Sequence, residues 1–181
     1  MSQQIDQILE QVLTQVEHGD ASGDVLISTE SQLGLKANEG ELSEYKVTSS
    51  QTVGVRVVIG DQVGTSYSES MRTEDLNNMV TAALENARYA KINPHEKIRA
   101  AEQVISDWST EIDQEDKTEQ QDKVDLALSL ESGLMNRGVD AKAPYSGFNE
   151  LTYSLHFANS LGHRCTHRER QFSCYTYALL S

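Results

Sequence analysis

The sequence predicts an α+β protein: an N-terminal antiparallel sheet covered by helices, followed by a helix and a second, incomplete β-hairpin region. Three observations carry this. Val53, Val55, Val57 and Ile59 fall on one side of an alternating strand and Gly54, Arg56 and Val58 on the other. Gly60-Asp61-Gln62 interrupts that run, and Val63 to Ser68 reads as the return strand of a hairpin. A helix from 73 to 90 follows at once, with Leu76, Met79, Val80, Ala83, Leu84 and Ala87 at the i, i+3, i+4, i+7 spacing of a buried face.

In chain order, residues 5–17 form the first helix, striped by Ile5, Ile8, Leu9, Val12 and Val16 and stopped by His18-Gly19-Asp20. Three strands are expected next, at 24–31, 32–40 and 41–50, with Asn38-Glu39-Gly40 as a turn. The hairpin and helix described above complete an order of helix, five strands and helix. Asn93-Pro94 ends this unit, because proline cannot continue a helix and disfavours helical geometry in the residue before it. Residues 94–115 read as an acidic connector that docks through Ile105 and Trp108. A third helix is expected from Asp116 to Met135, striped by Val124, Ala127, Leu128, Leu134 and Met135. Leu151, Tyr153, Leu155 and Phe157 then alternate on one strand, Asn159 to Gly162 turn the chain, and a return strand runs from His163 towards Leu180. The expected division is a first domain at 1–93, the connector at 94–115 and a second region at 116–181.

Composition bounds the function. Acidic residues outnumber basic ones by 28 to 15, a formal charge of −13, which argues against a nucleic-acid surface, since phosphate binding needs concentrated Lys and Arg. The basic stretch His163 to Arg170 reads as a solvated strand face. No apolar run is long enough to span a bilayer, and the N-terminus has neither a basic nor an apolar signal region, so a cytoplasmic location is expected. Cys165 and Cys174 are too few for a disulfide framework and are expected as thiols.

Residues that bear chemistry are scattered. His95-Glu96 begins like a zinc-peptidase helix signature, but Lys97, Ile98, Arg99 and Ala100 follow and no second histidine comes within a turn. His163, Cys165 and His167 share a strand face, yet three in-line residues span about 13 Å and cannot meet one ion without a bend. Cys165 has histidines nearby but no oxyanion hole. Ser160, in Asn-Ser-Leu-Gly, is not a nucleophile elbow. His18 and His156 stand alone as surface or turn residues. The glycines at 34, 40, 54, 60 and 64 are spaced as turns and bulges, with no phosphate-cradling loop. The reading is therefore no catalytic, cofactor-binding or metal-ligating residue, and open strand edges suited to strand addition.

The block from Val53 to Tyr89, continuing as AALENARYAKINP, resembles the N-terminal region of the TldD/PmbA family, on its PmbA (TldE-like) side. A weaker likeness covers 116–162, where Ala158-Asn159-Ser160-Leu161-Gly162 resembles the family's turn. The resemblance implies a part in a zinc-dependent peptidase assembly, in which a TldD-like chain carries an HExxxH motif in a C-terminal domain and a PmbA-like chain lacks it. It implies a TldD-like catalytic partner, zinc on that partner only, a peptide substrate, and a non-catalytic role here in pairing and peptide admission. It also implies truncation, because family members continue into a larger C-terminal domain, whereas FSCYTYALLS reads as a strand in progress with an uncovered edge. The competing expectation is a stand-alone acidic module that binds a peptide or protein without any peptidase link.

Overall fold

The computed structural model describes residues 2–100, 116–136 and 141–180. Helix α1 (Ser2–His18) leads into β1 (Ser22–Asn38), β2 (Glu41–Ile59) and β3 (Gln62–Ser68); α2 (Thr73–Tyr89), α3 (Gln120–Met135), β4 (Ala141–Asn159) and β5 (Arg164–Leu180) follow. The five strands form one antiparallel sheet in the order β3-β2-β1-β4-β5. The C-terminal hairpin thus joins the N-terminal strands beside β1, an arrangement that the local pattern does not disclose.

Three strand assignments differ from the sequence reading. Residues 24–31 and 32–40 are a single strand, β1, and 41–50 runs unbroken into 53–59 as β2. The supposed breaks at Ser31-Gln32 and Ser49-Ser50-Gln51 are exposed polar stretches of continuous strand, with no Gly or Pro to end them. Strand β4 begins at Ala141, ten residues ahead of Leu151. Pro144 and Gly147 disguise it as loop, since both are uncommon within strands.

By contacts the described residues form two units. Unit 1 draws on residues 1–29, 50–108 and 154–168 and unit 2 on 30–49, 109–153 and 169–181. The core of unit 1 is the lattice of apolar faces expected from periodicity. Ile5, Ile8, Leu9, Val12, Leu13 and Val16 of α1 and Leu76, Met79, Val80, Ala83 and Ala87 of α2 bury against Val25, Ile27, Val53, Val55 and Val57 of the sheet, with Ala158 of β4. Each such Val, Leu or Ile removed from water stabilises by about 1.5–3 kcal/mol. The β2–β3 register runs from Val53↔Ser68 to Ile59↔Gln62. Gly60, at φ +61°, supplies the left-handed residue of the two-residue turn.

Unit 2 has a smaller core of Leu35, Ala127 and Phe148, with Leu33, Leu42 and Val124 packed on it. Only part of the predicted α3 stripe is buried: Met135 is exposed, and Glu131 takes a buried position. That glutamate has a definite task. Its carboxylate accepts the backbone N–H groups of Glu39 (2.7 Å) and Gly40 (3.1 Å). Those two residues form the β1–β2 turn, both with positive φ (56° and 79°). Charge-assisted bonds of this kind contribute about 1.5–3 kcal/mol when one partner is removed. Glu131→Ala is expected to cost about 2 kcal/mol in urea unfolding and to strip hydrogen-exchange protection from the Glu39 and Gly40 amides. Unchanged exchange at those two amides would show that the turn holds itself.

Candidate binding surfaces

Of the residues weighed in the sequence, Glu96, His156, Ser160 and His163 have structural partners. Glu96 closes the turn at Pro94-His95 that follows α2, and its carboxylate accepts from Arg56 Nη1 at 3.1 Å. Arg56 also binds Asp24, through Nη2 at 2.5 Å and Nε at 3.1 Å. The hydrogen bonds that Arg56 donates to Asp24, aided by the charges of both carboxylates, hold the guanidinium pKa above its usual value despite partial burial. Glu96 is thus an ion-pair partner of Arg56. Lys97 pairs with Asp61, the Asn93 N–H donates to the Asp61 carbonyl at 2.7 Å, and the Asn159 side chain donates to the Arg99 carbonyl at 2.7 Å. The start of the connector, 93–99, is stapled to the sheet. Ile105 and Trp108 lie outside the described residues.

At the β4–β5 turn, Asn159 Oδ1 accepts the N–H groups of Leu161 (3.0 Å) and His163 (2.9 Å). Ser160 Oγ accepts the Gly23 N–H at 3.1 Å, a structural duty. The His163 ring meets Phe157 edge-on, with centroids 5.4 Å apart. His156 shares a 3.2 Å hydrogen bond with Thr166, and burial lowers its pKa against the pull of Asp6. Cys165 and Cys174 both lie on β5 as free thiols. Among the described residues, no three His, Cys, Asp or Glu side chains are placed to hold one metal ion.

In unit 2 a polar groove of about 310 Å³ lies between the start of α3 and the sheet, lined by Leu33, Tyr45, Val47, Lys123, Glu150 and Thr152. Its floor is an ionic network. Lys123 reaches both Asp116 and Glu150 at 2.5 Å, and Arg170 lies 3.4 Å and 3.7 Å from the same two carboxylates. Burial opposes the Lys123 charge, but its bonds to Asp116 and Glu150 outweigh burial and raise its pKa. The Lys123 bond, with further help from Thr118, holds the Asp116 carboxyl well below the ordinary carboxylate range. Two carboxylates satisfied by two cations make a structural brace rather than an acid–base pair poised near neutrality. A second groove, about 540 Å³, runs between β3 and α2 and is lined by Ser66, Tyr67, Ser68, Arg72, Asn78 and Met79. Arg72 and Ser70 both bond Asp75 there and lower its pKa, the serine most.

The remaining surface is the sheet's outer strand, β5. Phe172, Tyr177 and Leu179 are 71%, 61% and 61% exposed along it. The sequence reading took His163–Arg170 as a solvated strand face, and the uncharged stretch that follows it lies on the same outer strand.

The comparisons agree with this architecture. Residues 23–87 match the family described as PmbA/TldA metallopeptidase domain 1. The fold is shared with a proposed modulator of a DNA gyrase from Thermotoga maritima (TM-score 0.72, 12% identity, 98% of this chain and 40% of that one). It is shared with TldE from Thermococcus kodakarensis (TM-score 0.73, 12% identity, 94% of this chain and 39% of that one). A proposed modulator of DNA gyrase from Bacteroides thetaiotaomicron has it too (TM-score 0.77, 9% identity, 93% and 39%). This chain spans about two-fifths of the length of each of these structures. No curated protein sequence matches it. No described helix is long and apolar enough to cross a membrane. Residues 23–87 thus match the first domain of the PmbA/TldD family, seated in a fold that these solved structures share.

Proposed function

We propose that the chain serves as the PmbA/TldE-like, non-catalytic part of a TldD/TldE-type zinc metallopeptidase assembly, which cleaves or matures peptides in the cytoplasm. Its task is pairing with a TldD-like catalytic chain and admission of a peptide. Zinc and the activated water belong to that partner. The observation that carries this reading is the first-domain match at 23–87, seated in a fold shared with a TldE structure. The structural bonds of Glu96 to Arg56 and of Ser160 to the Gly23 N–H support a scaffold role. The acidic surface, formal charge −13, supports protein partners over nucleic acid.

Mixing the purified chain with a TldD-like protein tests this. Co-elution in size-exclusion chromatography and faster zinc-dependent peptide cleavage by the mixture than by the TldD-like chain alone are expected. Separate elution together with unchanged cleavage would sink the reading. A second reading, a stand-alone peptide- or protein-binding module, is favoured by the exposed apolar residues of β5. Recovery of the chain with a partner unrelated to peptidases would select it.

A further inference from the structure

β5 is an outer strand of the sheet, and from Gln171 to Leu179 it carries no charged residue, in a chain of which 24% is Asp, Glu, Lys or Arg. Natural sheets guard a long edge with charges, proline or a covering element, because an open row of N–H and C=O groups recruits another strand. The opposite edge follows that rule. β3 is only seven residues long, α2 lies over it, and the Asn86 side chain donates to the Thr65 carbonyl at 3.0 Å. The side-chain contacts of the β5 stretch turn back to its own hairpin instead: Gln171 to Glu169, Thr176 to Ser146, and Tyr175 edge-on to Tyr177.

The direction of the unpaired groups follows from the hairpin register. The Asn159 N–H donates to the His163 carbonyl, and His156–Thr166 and Ser146–Thr176 continue the same antiparallel pairing. His163 is thus a hydrogen-bonded position. Strict alternation turns the N–H and C=O groups of Phe172, Cys174, Thr176 and Ala178 away from β4. The sheet's outer rim therefore presents these four residues.

We propose that this rim is a self-association surface, on which a second copy of the chain adds its own β5 in antiparallel, two-fold symmetric register about Tyr175. Charge and shape both favour a copy of itself as occupant. The uncharged stretch is centred on Tyr175, so the two-fold axis lays it along its counterpart with no like-charge pair. In that register Phe172 faces Ala178, Tyr177 faces Ser173, and Cys174 faces Thr176, so that large meets small on both faces of the sheet. The two Tyr175 rings meet at the axis, as aromatic cross-strand pairs do. A closed two-fold pairing uses up the edge on both copies and ends growth at a dimer. The inference goes beyond the peptidase reading and does not depend on it.

Sedimentation equilibrium of the 181-residue chain under reducing conditions, from about 1 µM to about 500 µM, tests this, with a dimer Kd of tens of micromolar expected for so small an interface. Cys174→Pro removes one outward N–H without touching the ladder to β4, and Cys174→Lys sets two cations beside the axis. Each is expected to weaken dimerisation at least about tenfold. Circular dichroism should match the parent in both, and Cys174→Ser should dimerise like the parent. A parent chain that stays monomeric at the highest concentration overturns the proposal. So does a dimer that survives both the Pro and the Lys substitution, which would place the contact elsewhere.

Discussion

Gly64→Ala is expected to cost about 3 kcal/mol, the upper end for overpacking a well-formed core. A methyl group at Gly64 would lie 2.0 Å from the Ala83 carbonyl oxygen, 2.3 Å from the Ala87 nitrogen and 2.9 Å from the Ala87 Cα. All three are backbone atoms of α2, so no rotamer change relieves the clash and the helix itself must move off β3. Moving it opens the core, because Ala83 and Ala87 are buried on the face that covers Val53, Val55 and Val57. Gly133→Ala is the control. Its methyl group meets nothing within 4 Å, and in the last turn of α3 it should stabilise by about 0.5 kcal/mol through propensity alone. Urea unfolding of both variants checks the pair. Equal midpoints would mean that α2 is not seated against Gly64 as described.

That close approach shows what the sequence discloses and what it withholds. Val53 to Ser68 identified a hairpin because period-two alternation and a Gly-Asp turn are local signals, and the paired register agrees with both. The helix at 73–90 was equally legible from its apolar spacing. Gly64 looked like one more turn glycine, although its role is to admit a helix backbone from some twenty residues away. β1 was divided in two at Ser31-Gln32 because a polar stretch in an exposed strand centre mimics a turn. The position of β4 beside β1 depends on pairing across more than a hundred residues, for which no local pattern exists. Side-chain partners are hidden from local pattern in the same way. Glu96 beside His95 looked like half of a zinc motif, and only the fold shows that Arg56, forty positions earlier, takes its charge. The uncharged run at 171–179 was readable, but its placement on an outer edge was a matter of strand order.

Lys123→Met should lower stability by about 2 kcal/mol near neutral pH, less than the 3–5 kcal/mol of a fully buried pair because the site keeps some contact with water. Methionine keeps the aliphatic stem, so the loss reports the charge. Without the ammonium group, the cation left beside Asp116 and Glu150 among the described residues is Arg170, at 3.4 Å and 3.7 Å. The pH dependence separates this from a packing defect. The folded-state pKa of Asp116 is depressed, so its contribution is fully present above the unfolded value of about 3.9 and is lost as pH falls below it. The folded-state pKa of Lys123 is raised, so its contribution is fully present below about 10.4 and is lost as pH climbs past the folded value. The stability gap between parent and variant should therefore form a plateau from about pH 5 to about pH 10 and narrow on both sides. Urea midpoints across that range measure it. A gap that stays constant from about pH 3 to about pH 7 would assign the effect to a packing defect and remove the electrostatic account of the brace at the foot of the groove.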